Sequence, residues 1–113
     1  MHELAITRSA IDIIATAART EGFRAVRRVR IAIGALSHLE PAAVRFCFAV
    51  AARGTVAEGA DLTIEQPAGE AFCDRCRLGF PVATRAESCP GCGARDWRLT
   101  AGDELKVLDL EVV

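Results

Sequence analysis

The chain has 113 residues, of which 51% are hydrophobic and 26% charged, with five cysteines, two histidines and no tyrosine. Those figures suit one globular domain with a small annex and exclude a disordered or collagen-like chain. A net charge of −1 lacks the basic excess with which proteins coat nucleic acid, and no apolar run approaches the roughly 20 residues needed to cross a bilayer. The opening MHELAITRSAIDIIATAART is not expected to act as a signal peptide, because Glu3 stands where a basic segment belongs and Asp12 and Arg19 interrupt the apolar stretch. An unexported chain with an odd cysteine count is expected in the cytoplasm, where clustered cysteines act as metal ligands sooner than as disulfides.

Residues 4–20 place Leu4, Ile11, Ile14 and Ala18 at three- and four-residue spacing, with Ile13 and Ala17 widening the stripe, which predicts an amphipathic helix closed by Gly22. From Val26 to Ile33 the period becomes two. Val29, Ile31 and Ile33 point one way and Arg28, Arg30 and Ala32 the other, as in a half-buried strand. The arginines at 24, 27, 28 and 30 read as its solvent face, where they discourage edge pairing, in preference to a docking surface for an acidic partner. Residues 34–40 form a connection. Pro41 opens a second helix carrying Val44, Cys47, Phe48 and Ala51 on one face, ending near Arg53 with Gly54 as its cap. Cys47 reads there as a small buried hydrophobe.

Asp61–Gln66 alternates again, with Leu62 and Ile64 inward. Residues 67–100 are rich in Gly, Pro, Cys and Arg, and their few large apolar side chains, Phe72, Phe80 and Trp97, are expected to form a small local core. Leu105–Val113 resumes strand character with Leu108, Leu110 and Val112 on one face. The expected fold is α+β. Residues 1–66 and 101–113 make two helices and a small three-stranded sheet, and residues 67–100 form an inserted zinc-ribbon-like module. Periodicity does not set the order of the strands. Strand exchange between two copies is compatible with this arrangement, as is a monomer.

The pairs Cys73-x2-Cys76 and Cys89-x2-Cys92, twelve residues apart, form the strongest signal in the chain. Two intervening residues let both thiolates of a pair turn toward one centre, and two pairs complete the tetrahedral sulfur shell that zinc prefers. A structural zinc is favoured over disulfides, free thiols or an iron–sulfur cluster. A catalytic zinc is disfavoured because four thiolates leave no open position. The module holds Arg75, Arg77, Arg85, Arg95 and Arg98 against Glu70, Asp74, Glu87 and Asp96, and four thiolates with one divalent ion bring it to −1. A phosphate-binding ribbon would be basic, so the module reads as a scaffold.

His2 brings its imidazole, its own backbone nitrogen and the amine of Met1 within reach of one ion, and the amide of Glu3 can complete a planar set of four nitrogens suited to nickel(II) or copper(II). A solvated terminus is the competing reading. His38, in the loop before Pro41, reads as surface.

The opening MHELAI, the stretch RVRIAIGALSHLEP, the segment GTVAEGADLTIEQ, the CxxC…CPGCG insert and the closing DELKVLDLEV together resemble, in order along the chain, the HypA/HybF family of nickel metallochaperones. The resemblance implies a non-enzymatic carrier of Ni(II) for [NiFe]-hydrogenase maturation and, in some bacteria, urease. It further implies nickel ligation at Met1, His2 and Glu3, Zn(II) at Cys73, Cys76, Cys89 and Cys92, and an acidic position at Glu40 that approaches His2 if the turn packs near the terminus. The implied partners are the GTPase of the pathway and the hydrogenase large-subunit precursor. Family members with histidines beside the zinc cysteines have been linked to a changeable zinc shell. Here Ser88 precedes Cys89 and Gly93 follows Cys92, so neither that switch nor an extra nickel ligand from histidine is expected. A zinc-ribbon protein- or nucleic-acid-interaction module without nickel is the alternative.

Overall fold

The computed structural model describes residues 2–113; Met1 and the side chain of His2 lie outside the described residues. The chain runs α1 (His2–Glu21), β1 (Val26–Ile33), α2 (Pro41–Ala52), β2 (Asp61–Glu65), β3 (Gly69–Cys73), β4 (Leu78–Val82), β5 (Arg98–Ala101) and β6 (Leu105–Val112). It divides into two compact units, Met1–Ala32 with Leu39–Glu65 and Lys106–Val113, and Ile33–His38 with Gln66–Leu105. No helix among the described residues is long and apolar enough to cross a membrane.

In the first unit both helices follow their apolar periodicity. α1 buries Ala10, Ile11, Ile14 and Ala18 together with Thr7, whose hydroxyl donates to the Glu3 carbonyl at 2.8 Å and lies 3.0 Å from that of Leu4. That internal bonding lets a polar side chain occupy a core position. Ile13, expected to widen the buried stripe, is instead 60% exposed, because the face turned inward is the narrower one through Thr7 and Ile14. Gly22 ends the helix at φ 82°, its N–H donating to Ala18 at 2.8 Å. α2 buries Val44, Phe48 and Ala52 at four-residue spacing and leaves Cys47 half-buried.

The sheet order is β2-β1-β6. β1 and β2 are parallel, with Val29 opposite Leu62 and Ile31 opposite Ile64, and α2 supplies the crossover that parallel strands require. β6 runs antiparallel to β1: the Val113 N–H donates to the Ala25 carbonyl, while Asp109 meets Arg30 further along the strand. β1 is therefore the central strand, and its arginines do not guard an edge. They pair with acids across the polar face, Arg30 with both Asp109 and Glu65, and Arg27 and Arg28 with Glu111.

β6 departs from the expected alternation. Leu105, Val107 and Leu110 are half-buried, whereas Leu108 and Val112 are 40% and 44% exposed, so the pattern slips by one residue between Val107 and Leu110. β6 is an edge strand, paired on one side only, so neither of its faces is fully covered.

The second unit holds a sheet that composition concealed, β4-β3-β5, antiparallel throughout, with Ala71 opposite Phe80 on one side and Leu99 on the other. Its inner row, Gly69, Ala71 and Cys73, is small, which leaves room for Phe80, Val82 and Cys89. Leu36, from the segment read above as a connection, completes this core, with Trp97 and Leu99 packed against it. Phe72, expected inside, lies on the other face under the Arg98 guanidinium, 4.9 Å from the ring centroid. Gly102 adopts φ 104°, and a Cβ there would meet the Gly69 backbone at 2.4 Å, so this crossing demands glycine.

Hydrogen bonds from Arg30 hold the Asp109 carboxyl below its ordinary value of 3.8. A depressed carboxylate contributes stability above the unfolded-state value, and the contribution is lost as pH falls through the folded one. The difference in urea-unfolding stability between the parent and Asp109→Asn is therefore expected to shrink between about pH 5 and about pH 2; a difference constant over that window would refute the linkage.

Candidate metal centres

The first CxxC pair spans the end of β3 and the tight turn after it. Cys73 is the last residue of the strand, so its side chain enters the core, while Cys76 comes from the exposed turn leading to β4. The second pair sits in a loop tied down at several points. The Glu87 carboxylate accepts from the Ala83 and Thr84 N–H groups, and the Glu87 carbonyl accepts from the Trp97 indole at 2.7 Å. Trp97 in turn meets Phe80 edge-on at 6.0 Å. The Cys89 N–H donates to the Ala94 carbonyl and the Gly93 N–H to the Cys89 carbonyl, both at 2.8 Å, folding the knuckle around the second pair. Gly93 takes φ 77°, the conformation in which that turn closes.

All four sulfurs lie within 4.8 Å of one another. The Cys73–Cys92 and Cys76–Cys89 separations are 3.7 and 3.8 Å. A tetrahedral zinc thiolate with bonds of about 2.3 Å has sulfur–sulfur edges of about 3.8 Å, whereas a disulfide needs about 2.05 Å. The donor set thus suits a tetrahedral soft cation. Cys73 and Cys89 are buried and Cys76 and Cys92 exposed, so one side of the cluster faces solvent.

The thiols share charge unevenly. Burial opposes ionisation of Cys89, but N–H groups of Cys92 and Gly91 and the Cys73 and Cys76 thiols act on its sulfur and bring it to about 7. Cys76 is pushed up to about 12 by its hydrogen bond with Cys92, then by burial, then by Cys89. Ionisation is thus favoured at Cys89 and opposed at Cys76, an imbalance that a bound divalent cation would relieve.

At the other candidate site Met1 and the His2 side chain lie outside the described residues, and the structure places only the third member of the proposed set. Glu3, half-buried in the first turn of α1, is held from two sides: Thr7 donates to its carbonyl, and the Glu40 N–H donates to its carboxylate at 3.4 Å. The turn before α2 thus packs beside the start of α1, with Glu40 exposed and its side chain making no cap. His38 is exposed at φ 62°, an uncommon conformation for a residue with a Cβ. Thr7 is not marked by the apolar periodicity of α1. Its only sequence signal is a hydroxyl inside an apolar stripe.

These features define a small α+β protein with a tetrathiolate centre. Over residues 1–112 the sequence matches the family described as hydrogenase/urease nickel incorporation, metallochaperone, hypA, and the chain belongs to that family. It is 47% identical to the hydrogenase maturation factor HypA of Rhodopseudomonas palustris (strain BisB5) over 112 residues, covering 99% of each chain. It is 42% identical to that of Rhizobium leguminosarum bv. viciae over 113 residues, covering 100% of both. The solution structure of the Ni metallochaperone HypA from Helicobacter pylori superposes with a TM-score of 0.79 at 25% identity, covering 98% of this chain and 97% of that one.

Arg77 occupies, after Cys76, the place that Gly93 occupies after Cys92, and it carries the strain of φ 53° with an exposed side chain. Arg77→Gly is expected to stabilise the unit by up to about 1 kcal/mol, measured by denaturant unfolding followed through Trp97, the single tryptophan. A loss of stability would show that the arginine side chain itself holds the turn.

Proposed function

We propose that the chain is a non-enzymatic, cytoplasmic nickel carrier that binds Ni(II) at Met1, His2 and Glu3 and delivers it during maturation of [NiFe]-hydrogenase, and of urease where one is present. The observation that carries this reading is the family match, which runs from residue 1 to residue 112 and so includes residues 1–3.

Two local facts support it. The first-turn amides of a helix lie outside the i→i−4 ladder, and the positive end of the helix dipole favours negative charge, so amide nitrogens can be given up there without dismantling the helix. Glu3 is held by Thr7 and the Glu40 N–H, so the third member of the proposed set is already fixed. That limits the entropy lost on chelation. The partners we infer are the pathway's nickel-handling GTPase and the hydrogenase large-subunit precursor.

Cys73, Cys76, Cys89 and Cys92 hold a structural zinc in this reading. The ion supplies cross-linking and charge neutralisation in a unit whose core is small. The four thiolates fill its coordination shell, which suits a scaffold and not a hydrolytic centre.

Nickel titration of the protein with a native terminus should show one equivalent bound. His2→Ala, or a few residues fused ahead of Met1, should each abolish stoichiometric binding while zinc content and circular dichroism persist; retention of parent-like binding by either variant would sink the terminal site. Cys73→Ser is expected to lose zinc, and with it the protection of β3–β5 amides from hydrogen exchange. Preserved protection in the zinc-free protein would contradict the structural role.

A further inference from the structure

We propose that Cys76 and Cys92 are the sites at which hydrogen peroxide oxidises the thiolate cluster. Each is then resolved by a buried cysteine of the other pair, giving disulfides Cys73–Cys92 and Cys76–Cys89 in place of the zinc. This concerns the structural zinc of the proposed function and rests on that reading.

Access selects the two sulfurs. Cys73 and Cys89 are 1% and 2% exposed and lie in the core with Ala71, Phe80 and Val82, whereas Cys76 and Cys92 are exposed. Gly91 keeps one approach to Cys76 open, since a Cβ there would stand 3.1 Å from the Cys76 Sγ. Bound to a divalent ion the cysteines are thiolates, the nucleophilic form. The donor set is all sulfur, so every ligand can be oxidised.

Distance selects the pairing. The Cys92 Sγ lies 3.7 Å from that of Cys73 and the Cys76 Sγ 3.8 Å from that of Cys89, so each exposed sulfur has a buried one of the other pair beside it. Closing either gap to a disulfide takes less than about 2 Å of movement. In the first step the exposed thiolate attacks one peroxide oxygen. The S–O bond forms, the O–O bond breaks, hydroxide leaves, and the sulfur is oxidised to sulfenic acid. In the second step the buried thiolate attacks that sulfur, forming the S–S bond and expelling a second hydroxide. Two peroxide molecules thus convert four thiolates into two disulfides, which leaves no anionic donor for the ion. The disulfides close the chain across separations of 19 and 13 residues, between the same two segments that the ion would join, so the unit stays cross-linked without metal.

The test treats the whole zinc-loaded protein with hydrogen peroxide while a chromogenic chelator reports zinc. The quenched chain is blocked with maleimide and mapped by tandem mass spectrometry. Trypsin puts Cys73 and Cys76 on different peptides and leaves Cys89 and Cys92 on one. Two equivalents of peroxide should release the zinc and tie that shared peptide to the other two, while Cys47, half-buried outside the cluster, stays reduced. In a brief exposure with dimedone, which traps sulfenic acids, Cys76 and Cys92 should be labelled at least about tenfold more than Cys73 and Cys89. Gly91→Ala, which leaves all four ligands in place, should lower the Cys76 label relative to that of Cys92 at least about threefold. The oxidised protein should keep the β3–β5 amide protection that Cys73→Ser loses, and dithiothreitol with zinc should restore the metal. Disulfides within the CxxC pairs or between Cys76 and Cys92, equal labelling of the four cysteines, or an unchanged label ratio in Gly91→Ala would each overturn the proposal. So would zinc retained through excess peroxide, lost amide protection, or a chain that cannot be reloaded. Protein that purifies without zinc would instead remove the structural-zinc reading, and its labelling order and disulfide map would still decide this proposal.

Discussion

The pairing of β1 with its two neighbours is the constraint on which the rest of the structure depends. β1 buries Val29, Ile31 and Ile33 completely, takes β2 on one side through the α2 crossover, and takes β6 on the other. The β6 ladder forms between segments far apart in the chain, so its closure is entropically costly and rests on specific contacts. Backbone hydrogen bonds and the burial of β1's apolar row supply most of these, and Arg30, bridging Asp109 and Glu65, adds a lateral tie on the polar face. Exposed ion pairs of this kind contribute modestly. The main effect of Arg30 is register, because a one-residue slip would leave its guanidinium facing the wrong row.

The second unit is organised on a different principle. Its six-residue core includes Cys73 and Cys89, so two of the sulfur donors are also core residues. Sulfur separations of 3.7 and 3.8 Å exclude disulfides and match the edges of a tetrahedral thiolate shell. The two candidate centres therefore differ in donor chemistry. The cysteines offer soft, closed ligation, which retains a metal, and a chain terminus offers nitrogen ligation open to exchange. In the proposed carrier the first would keep its metal and the second would release it.

How far these features were legible in the sequence varied with how local their cause was. Both helices and β1 and β2 followed from periodicity, since the 3.6- and 2-residue patterns of Ile11–Ile14–Ala18 and Val29–Ile31–Ile33 are imposed by burial on one face. The β3–β4–β5 sheet did not, because its inner row is Gly69, Ala71 and Cys73, residues too small to register as a hydrophobic alternation. Phe72 misled for the converse reason. It is large and apolar, but it stands next to Cys73 in a strand, and once the cysteine turns inward its neighbour must turn out.

By itself the sequence determined what depends on chemistry and short-range spacing: the two CxxC pairs, the helix punctuated by Pro41 and Gly54, the histidine in second place and the family that the ordered motifs define. Tertiary structure decided what depends on residues distant in the chain. It set β1 at the centre of its sheet, shifted the phase of β6, brought Leu36 into the core beside the cysteines, and put the Glu40 N–H against the Glu3 carboxylate. The physical reason is the range of the forces involved. Hydrophobic periodicity and chelate geometry are satisfied within a few residues, whereas strand order and the partner of a given carboxylate are chosen by a global competition to bury surface and pair backbone groups, which no local pattern records.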